Sequence, residues 1–324
     1  MDQLIDLLAN GEEVIDVDEE SFLLYAQDIQ SNNLGMLNPR APSVEISING
    51  NEYTIHQSPS LLSSHRAGGT TGAVLWKITP LFAEWITNPS NPLWTNALLS
   101  QTSTVAELGT GISALVALVL APSVRHYIAT DQEYVRKLFR TNLDANASVP
   151  VSSSNSNSKA KGKSKGSKSS KSKPSLTTKP VDNISFTTLD WETDQAASLK
   201  ECMDPDESHG QDGEEEGEED KGFDLLLSCD CIYNEALVAP FVRTCAEICR
   251  LRPAYVAGSE EHCPRRKPTV CIIAQQQRSP DVFETWLRET MREFRVWRLS
   301  DDVLGEGLKS GSGYLVHLIL AKDK

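Results

Sequence analysis

The sequence predicts an α/β fold: a mostly parallel seven-stranded sheet with helices on both faces, preceded by an N-terminal extension of helices and a β-hairpin. Three observations lead there. From Ser103 onward, short apolar β-rich runs alternate with helical stretches, as strands covered on both faces must. The first of these runs leads straight into a turn with two glycines, Gly109 and Gly111. The last two runs follow each other with no clear helix between them, which calls for one antiparallel member.

The elements follow in order. Residues 2–9 place Leu4, Ile5, Leu7 and Leu8 among polar residues, and residues 19–30 do the same with Phe22, Leu23, Tyr25, Ala26 and Ile29. Both read as helices. Val44-Glu45-Ile46-Ser47-Ile48 alternates with period two, Asn49-Gly50 is a tight turn, and Tyr53-Thr54-Ile55 alternates again. That is a hairpin. Strands are expected at 104–108, 126–130, 184–189, 223–228, 270–274, 295–299 and 314–321. Helices are expected at 112–120, stopped by Ala121-Pro122, and at 133–146, 235–251 and 280–294.

This divides the chain into an extension, residues 1–71, and a main domain, residues 72–324. Two insertions interrupt the domain. Residues 148–182 are mostly Ser, Lys, Gly and Asn, and residues 203–221 are acidic, including DGEEEGEED. Neither has enough apolar side chain to offset the entropy of ordering. They read as loops between strands, where insertion is tolerated; a nuclear localisation signal or an RNA contact is the alternative for the basic one.

Of the 324 residues, 31 are basic and 45 acidic, a formal charge of −14. That disfavours a nucleic-acid substrate, whose phosphates would be repelled, and suits a basic protein partner. Seven cysteines, an acidic start and no apolar run of membrane-spanning length point to a reduced, intracellular protein. The expected compartment is the cytoplasm, with the nucleus as a second. Cys229-x-Cys231 and Cys245-x-x-x-Cys249 lack a histidine that would complete a four-ligand spacing, so no metal is expected.

The chemistry concentrates at strand ends. A glycine-bearing turn such as Glu107-Leu108-Gly109-Thr110-Gly111 lets a ligand approach the backbone, because no Cβ intervenes. The helix start after it offers unpaired N–H groups. Gly109-x-Gly111-x-x-Ala114 also fits the looser dinucleotide fingerprint, and a purely structural turn fits too. Asp131, 20 residues beyond Gly111, ends the next strand. A carboxylate there can accept from both ribose hydroxyls, although an Asp after a strand is also a common helix cap. Trp191, in Leu189-Asp190-Trp191, can pack on an adenine face or simply cover the sheet end. Asp230 and Tyr233 follow the fourth strand, where open α/β sheets bind ligands. Asp230 can line that site or cap the next helix, and Tyr233 can line it or only pack.

This set of motifs resembles the seven-strand protein-lysine methyltransferases, and more narrowly their Asp-x-x-Tyr group. Asp230-Cys231-Ile232-Tyr233-Asn234-Glu235 and Ile272-Ile273-Ala274-Gln275-Gln276-Gln277-Arg278 look most like the ribosomal lysine methyltransferases of that group. The resemblance runs from about Gly72, where Gly72-Ala73-Val74-Leu75-Trp76 matches the segment before the first core strand, to the C-terminus. It implies a Rossmann-like class I methyltransferase fold that binds S-adenosyl-L-methionine and releases S-adenosyl-L-homocysteine. The implied cofactor residues are Trp76, Glu107, Gly109, Thr110, Gly111, Asp131, Trp191, Cys229 and Asn234. The implied catalytic residues are Asp230 and Tyr233. Relatives often carry Ala or Ser where Cys229 stands, so a backbone contact is expected from it. The implied partner is a basic ribosomal protein, an L1-type protein of the 60S subunit. No Asn- or Asp-Pro-Pro-aromatic motif for base methylation is present. The competing readings are an NAD-dependent oxidoreductase and a non-catalytic methyltransferase-like interaction module.

Overall fold

The computed structural model describes residues 2–26, 35–64, 69–147, 149, 182–203, 222–252 and 267–322. Both insertions lie almost wholly outside the described residues, and so does Cys263. The chain opens with α1 (Asp2–Leu8), β1 (Gly11–Val14) and α2 (Val17–Tyr25), then β2 (Ser43–Ile48), β3 (Asn51–His56) and one-turn α3 (Pro59–Leu62). Next come α4 (Ile78–Thr87) and one-turn α5 (Pro92–Thr95). The alternating region is β4 (Thr104–Leu108), α6 (Leu115–Leu120), β5 (His126–Asp131), α7 (Glu133–Asn146), β6 (Ile184–Thr188), β7 (Leu225–Cys229), α8 (Val238–Cys249), β8 (Val270–Gln276), α9 (Pro280–Glu293), β9 (Phe294–Leu299), α10 (Asp301–Leu304) and β10 (Tyr314–Ala321).

One mixed sheet runs β1-β9-β10-β8-β7-β4-β5-β6. The inner strands β6, β5, β4, β7 and β8 are parallel, while β10 is antiparallel to β8 and to β9. The seven strands expected from periodicity are all present. The sheet has eight, because β1 adds an antiparallel edge against β9. Gly11-Glu12-Glu13-Val14 has one apolar side chain, so no alternation marks it. Its pairing is helped by Glu13 and Glu12, which reach Arg295 and Arg298 on β9. Helix α2 starts two residues earlier than the pattern suggested, capped by the Asp16 carboxylate on the Glu19 N–H.

The strands are near-continuous apolar runs because both faces are covered: every residue of β4 is buried. On one face α4, α6 and α7 pack; on the other, α8 and α9 bring in Phe241, Phe283 and Trp286. On α7, Val135, Phe139, Asn142 and Asn146 share the inward face and are buried. The two asparagines hold the free edge of β3: Asn142 accepts from the His56 N–H at 2.8 Å and donates to its carbonyl, and Asn146 does the same with Thr54. Buried backbone groups need such partners, and this is how the hairpin is fastened without joining the main sheet. No described helix is long and apolar enough to cross a membrane.

The strand order fixes where a ligand can bind. From β4 the chain steps outward to β5 and β6 on one side, then returns to place β7 on the other. The crevice at such a reversal lies outside the C-terminal ends of the strands, here those of β4, β5 and β7.

Candidate active site

A cavity of about 430 Å³ opens at that reversal, within the range of small-molecule sites. Every residue expected from the sequence lines it: Trp76, Glu107, Gly109, Thr110, Gly111, Asp131, Trp191, Cys229, Asp230, Tyr233 and Asn234. The floor is the turn after β4. Gly109 and Gly111 have φ of +67° and +62°, values that L side chains rarely adopt. A Cβ on Gly109 would stand 2.3 Å from the Cys231 Sγ and 3.4 Å from the Trp191 ring. The Gly109 and Thr110 N–H groups both donate to the Thr130 carbonyl, and Ile112 N–H donates to Gly72 O. These bonds tie β5 and the segment before Trp76 into one cradle.

Two carboxylates sit in it. Asp131 accepts from Gly111 N–H on Oδ2 at 2.8 Å and from Gln132 N–H on Oδ1 at 2.6 Å. Each oxygen keeps an acceptor position among the described residues. Burial pushes its carboxyl up to about 6, against those two hydrogen bonds. Glu107 accepts from the Thr110 and Tyr127 hydroxyls, both at 2.7 Å on Oε2. It is 3% exposed, and burial pushes it up to about 7.

Glu107 gives a test by pH. Its ordinary value is 4.5, so between 4.5 and about 7 the folded chain holds a proton that the unfolded chain has lost. Stability from this group is therefore full below 4.5 and declines as pH rises through about 7, by on the order of 3 kcal/mol. Glu107→Gln keeps an acceptor for both hydroxyls and cannot ionise. Its melting temperature should fall less than the wild type's between pH 5 and 8 in calorimetric scans; parallel curves would refute the assignment.

The walls are aromatic. Trp191 packs edge-on against Phe241 with centroids 5.0 Å apart, and its carbonyl accepts from Arg243. Its buried indole N–H has no acceptor among the described residues. Trp76 donates to the Thr71 carbonyl at 3.0 Å. Tyr233, 39% exposed, takes a hydrogen bond from the Thr71 hydroxyl at 3.1 Å and stands at the cavity rim. Asn234 caps the turn that follows, accepting from Ala236 N–H at 3.2 Å; that capping was the alternative considered for Asp230. The Cys229 thiol points to the Thr79 hydroxyl at 3.9 Å, and burial pushes it well up.

Asp230 departs most from the sequence expectation. Its φ is +64°, a conformation Asp bears better than most residues but at some cost. Its carboxylate is taken by Arg278 in a two-pronged pair, 2.7 Å to Oδ1 and 2.6 Å to Oδ2, with Gln276 N–H adding a bond to Oδ1. Only Oδ2 keeps a free acceptor position among these contacts. Arg278 ends the segment Ile272–Arg278 that carries the resemblance, which implies no role for it. Its place just past the C-terminal end of β8, a parallel strand, was the available signal. Thr71, Thr79 and Tyr134 also line the cavity and lie outside any motif. Among the described residues no three His, Cys, Asp or Glu side chains gather as metal ligands.

The cradle fits an adenosyl group: bare backbone at Gly109 and Gly111, a carboxylate with two free acceptor positions, and an aromatic wall with an unused N–H. The strand order β6-β5-β4-β7-β8-β10-β9 with β10 reversed is that of the Rossmann-like class I methyltransferase fold, with a pocket suited to S-adenosylmethionine at its switch point. The chain is related to proteins named ribosomal lysine N-methyltransferase 5. It is 27% identical to the one from Zygosaccharomyces rouxii over 75% of this chain and 72% of that one. It is 26% identical to the Kluyveromyces lactis protein over 91% and 96%. A higher identity, 35%, links it to a Schizosaccharomyces pombe protein named diaminohydroxyphosphoribosylamino-pyrimidine deaminase, over 41% of this chain and only 32% of that protein. The Pro-Cys-x-x-Cys of zinc deaminases is absent from this sequence, so that name gives no support to deamination here. No protein-family profile matches the chain. A solved methyltransferase complexed with S-adenosylhomocysteine aligns at a TM-score of 0.43 and 11% identity, over 86% of this chain and 56% of that one; the fold assignment rests on the strand order instead.

Proposed function

We propose that this chain is a protein-lysine N-methyltransferase whose substrate is a ribosomal protein, with an L1-type protein of the large subunit as the leading candidate. The observation that carries the reading is the segment Asp230–Asn234, which forms the cavity wall next to the adenosyl cradle and presents a carboxylate oxygen and a rim tyrosine. Those groups suit an amine on a long aliphatic stem. S-adenosylmethionine supplies an electrophilic methyl group when bound. The chain's own part is to align the amine, strip it of water and hold it neutral. Glu107 and Asp131 hold the cofactor's polar ends, Trp191 its aromatic face, and Tyr233 guides the side chain in. The formal charge of −14 supports a basic partner, and the names of the yeast relatives support the ribosome.

Incubation of the protein with methyl-labelled S-adenosylmethionine and dissociated ribosomal proteins is expected to label one lysine, identified by mass spectrometry. Label on a different residue type, or on no ribosomal protein, removes the reading. Calorimetry with S-adenosylhomocysteine and with NAD separates it from an oxidoreductase: heat with NAD alone is incompatible with methyl transfer.

A further inference from the structure

Arg278 does not line the cavity, yet it holds two of its walls. Its guanidinium grips both oxygens of Asp230, stacks 4.7 Å from the Trp76 ring centroid, and donates to the Gln276 side chain at 3.1 Å. The Asp230 side chain is 3% exposed and that of Arg278 25%. A buried, unpaired carboxylate at an amine site has a chemical consequence. An opposite charge within about 4–6 Å favours the protonated amine by roughly 1–3 pKa units, and an ammonium has no lone pair with which to attack a methyl group.

We propose that Arg278 is a positioning residue that cancels the charge of Asp230, so that Asp230 orients the acceptor amine without holding it as an ammonium. The inference rests on the lysine reading above. The fork geometry suits it: Arg278 occupies both oxygens, fixes Asp230 in its left-handed backbone conformation, and leaves one acceptor position on Oδ2 for an N–H. The other titratable groups around the pair are Cys229 at the end of β7, Cys231 and Tyr233 on the loop after it, Tyr314 on β10, Tyr25 on α2, and Glu107 and Asp131. Burial raises the tyrosines and the thiols, so they stay neutral at assay pH. Glu107 and Asp131 are common to every variant compared below. The proton leaves the ammonium for water before transfer, and the nitrogen lone pair then forms the N–C bond as the S–C bond breaks.

The two members of the pair predict opposite shifts. In Arg278→Gln the acid limb of the kcat–pH profile should move up by about one unit, because Asp230 now stabilises the ammonium. In Asp230→Asn the uncancelled guanidinium should move the limb down, at a lower kcat. Arg278→Lys keeps the charge and should return the limb to the wild-type position. The substrate is a synthetic peptide around the lysine labelled by the wild type. The same peptide, carrying ¹³C at the lysine ε-carbon, is titrated by NMR in complex with each variant and S-adenosylhomocysteine; its amine pKa should move in the same directions. S-adenosylhomocysteine binding, measured by calorimetry, confirms that each variant is folded. Unshifted limbs in variants that bind it overturn the proposal. If Arg278→Gln does not fold, the downward shift in Asp230→Asn decides, and its absence overturns the proposal equally. A wild type that labels no lysine removes the functional reading and this inference together.

Discussion

Gly109→Ala is expected to lose S-adenosylhomocysteine binding by at least about a hundredfold and to lower stability by roughly 2–5 kcal/mol, the sum of a left-handed alanine and an overpacked contact. The new Cβ would stand 2.3 Å from the Cys231 Sγ and 3.4 Å from the Trp191 ring at a φ of +67°. Neither neighbour can yield freely. The Cys231 thiol is buried and donates to the Leu108 carbonyl at 3.4 Å, and Trp191 is wedged against Phe241. The turn itself must therefore move, and it carries the Gly111 N–H that faces Asp131. Thermal melts and calorimetry read the two effects separately. Adding Cys231→Ala removes the closest clash, so the double variant should regain part of the stability while the strain at φ remains. A Gly109→Ala protein that binds S-adenosylhomocysteine within about threefold of wild type would show that the turn does not form the cofactor cradle.

Much of this arrangement was legible because its cause is local. The run 104–108 is apolar since β4 is covered on both faces, and Glu133–Asn146 matched its helix to the residue because its buried positions recur at helical spacing. Most cavity-lining residues could be named because the fold puts them at strand ends, next to the glycines that mark the turn. What stayed hidden is what depends on contacts distant in sequence. Strand β1 is stabilised by Arg295 and Arg298, some 280 residues away, through charges that carry no strand signal. The role of Asp230 could not be settled either. As a carboxylate after a strand it could cap a helix or meet a substrate, and only the fold shows Asn234 doing the capping and Arg278, 48 residues on, taking both oxygens. The relation between β10 and its neighbours was half visible: two strands without a helix between them implied a reversal, while the insertion of β10 between β8 and β9 is decided by the sheet.

Asp131→Ala tests the other half of the site. The carboxylate links the glycine turn to the start of α7 through Gly111 and Gln132 N–H groups, and each oxygen has a further acceptor position for a ribose hydroxyl. Hydrogen bonds to a charged group are worth about 1.5–3 kcal/mol each. Losing two to the ligand predicts a rise in Kd for S-adenosylhomocysteine of about 10² to 10⁴. Asp131→Asn retains one acceptor oxygen and should lose about tenfold. The pH dependence has a definite sign. Burial holds the Asp131 carboxyl up at about 6, and the protonated form has lost an acceptor, so wild-type binding should weaken as pH falls below about 6. The Asn variant cannot titrate, and this component should be missing from its binding curve. Stability should move differently from affinity. The raised carboxyl means that the ionised form costs the fold something at neutral pH, so Asp131→Ala should melt close to wild type at pH 8 while binding poorly. A variant that loses melting temperature and affinity in proportion would assign Asp131 a role in folding rather than in holding the ribose, and a Kd within about threefold of wild type would remove it from the cofactor site.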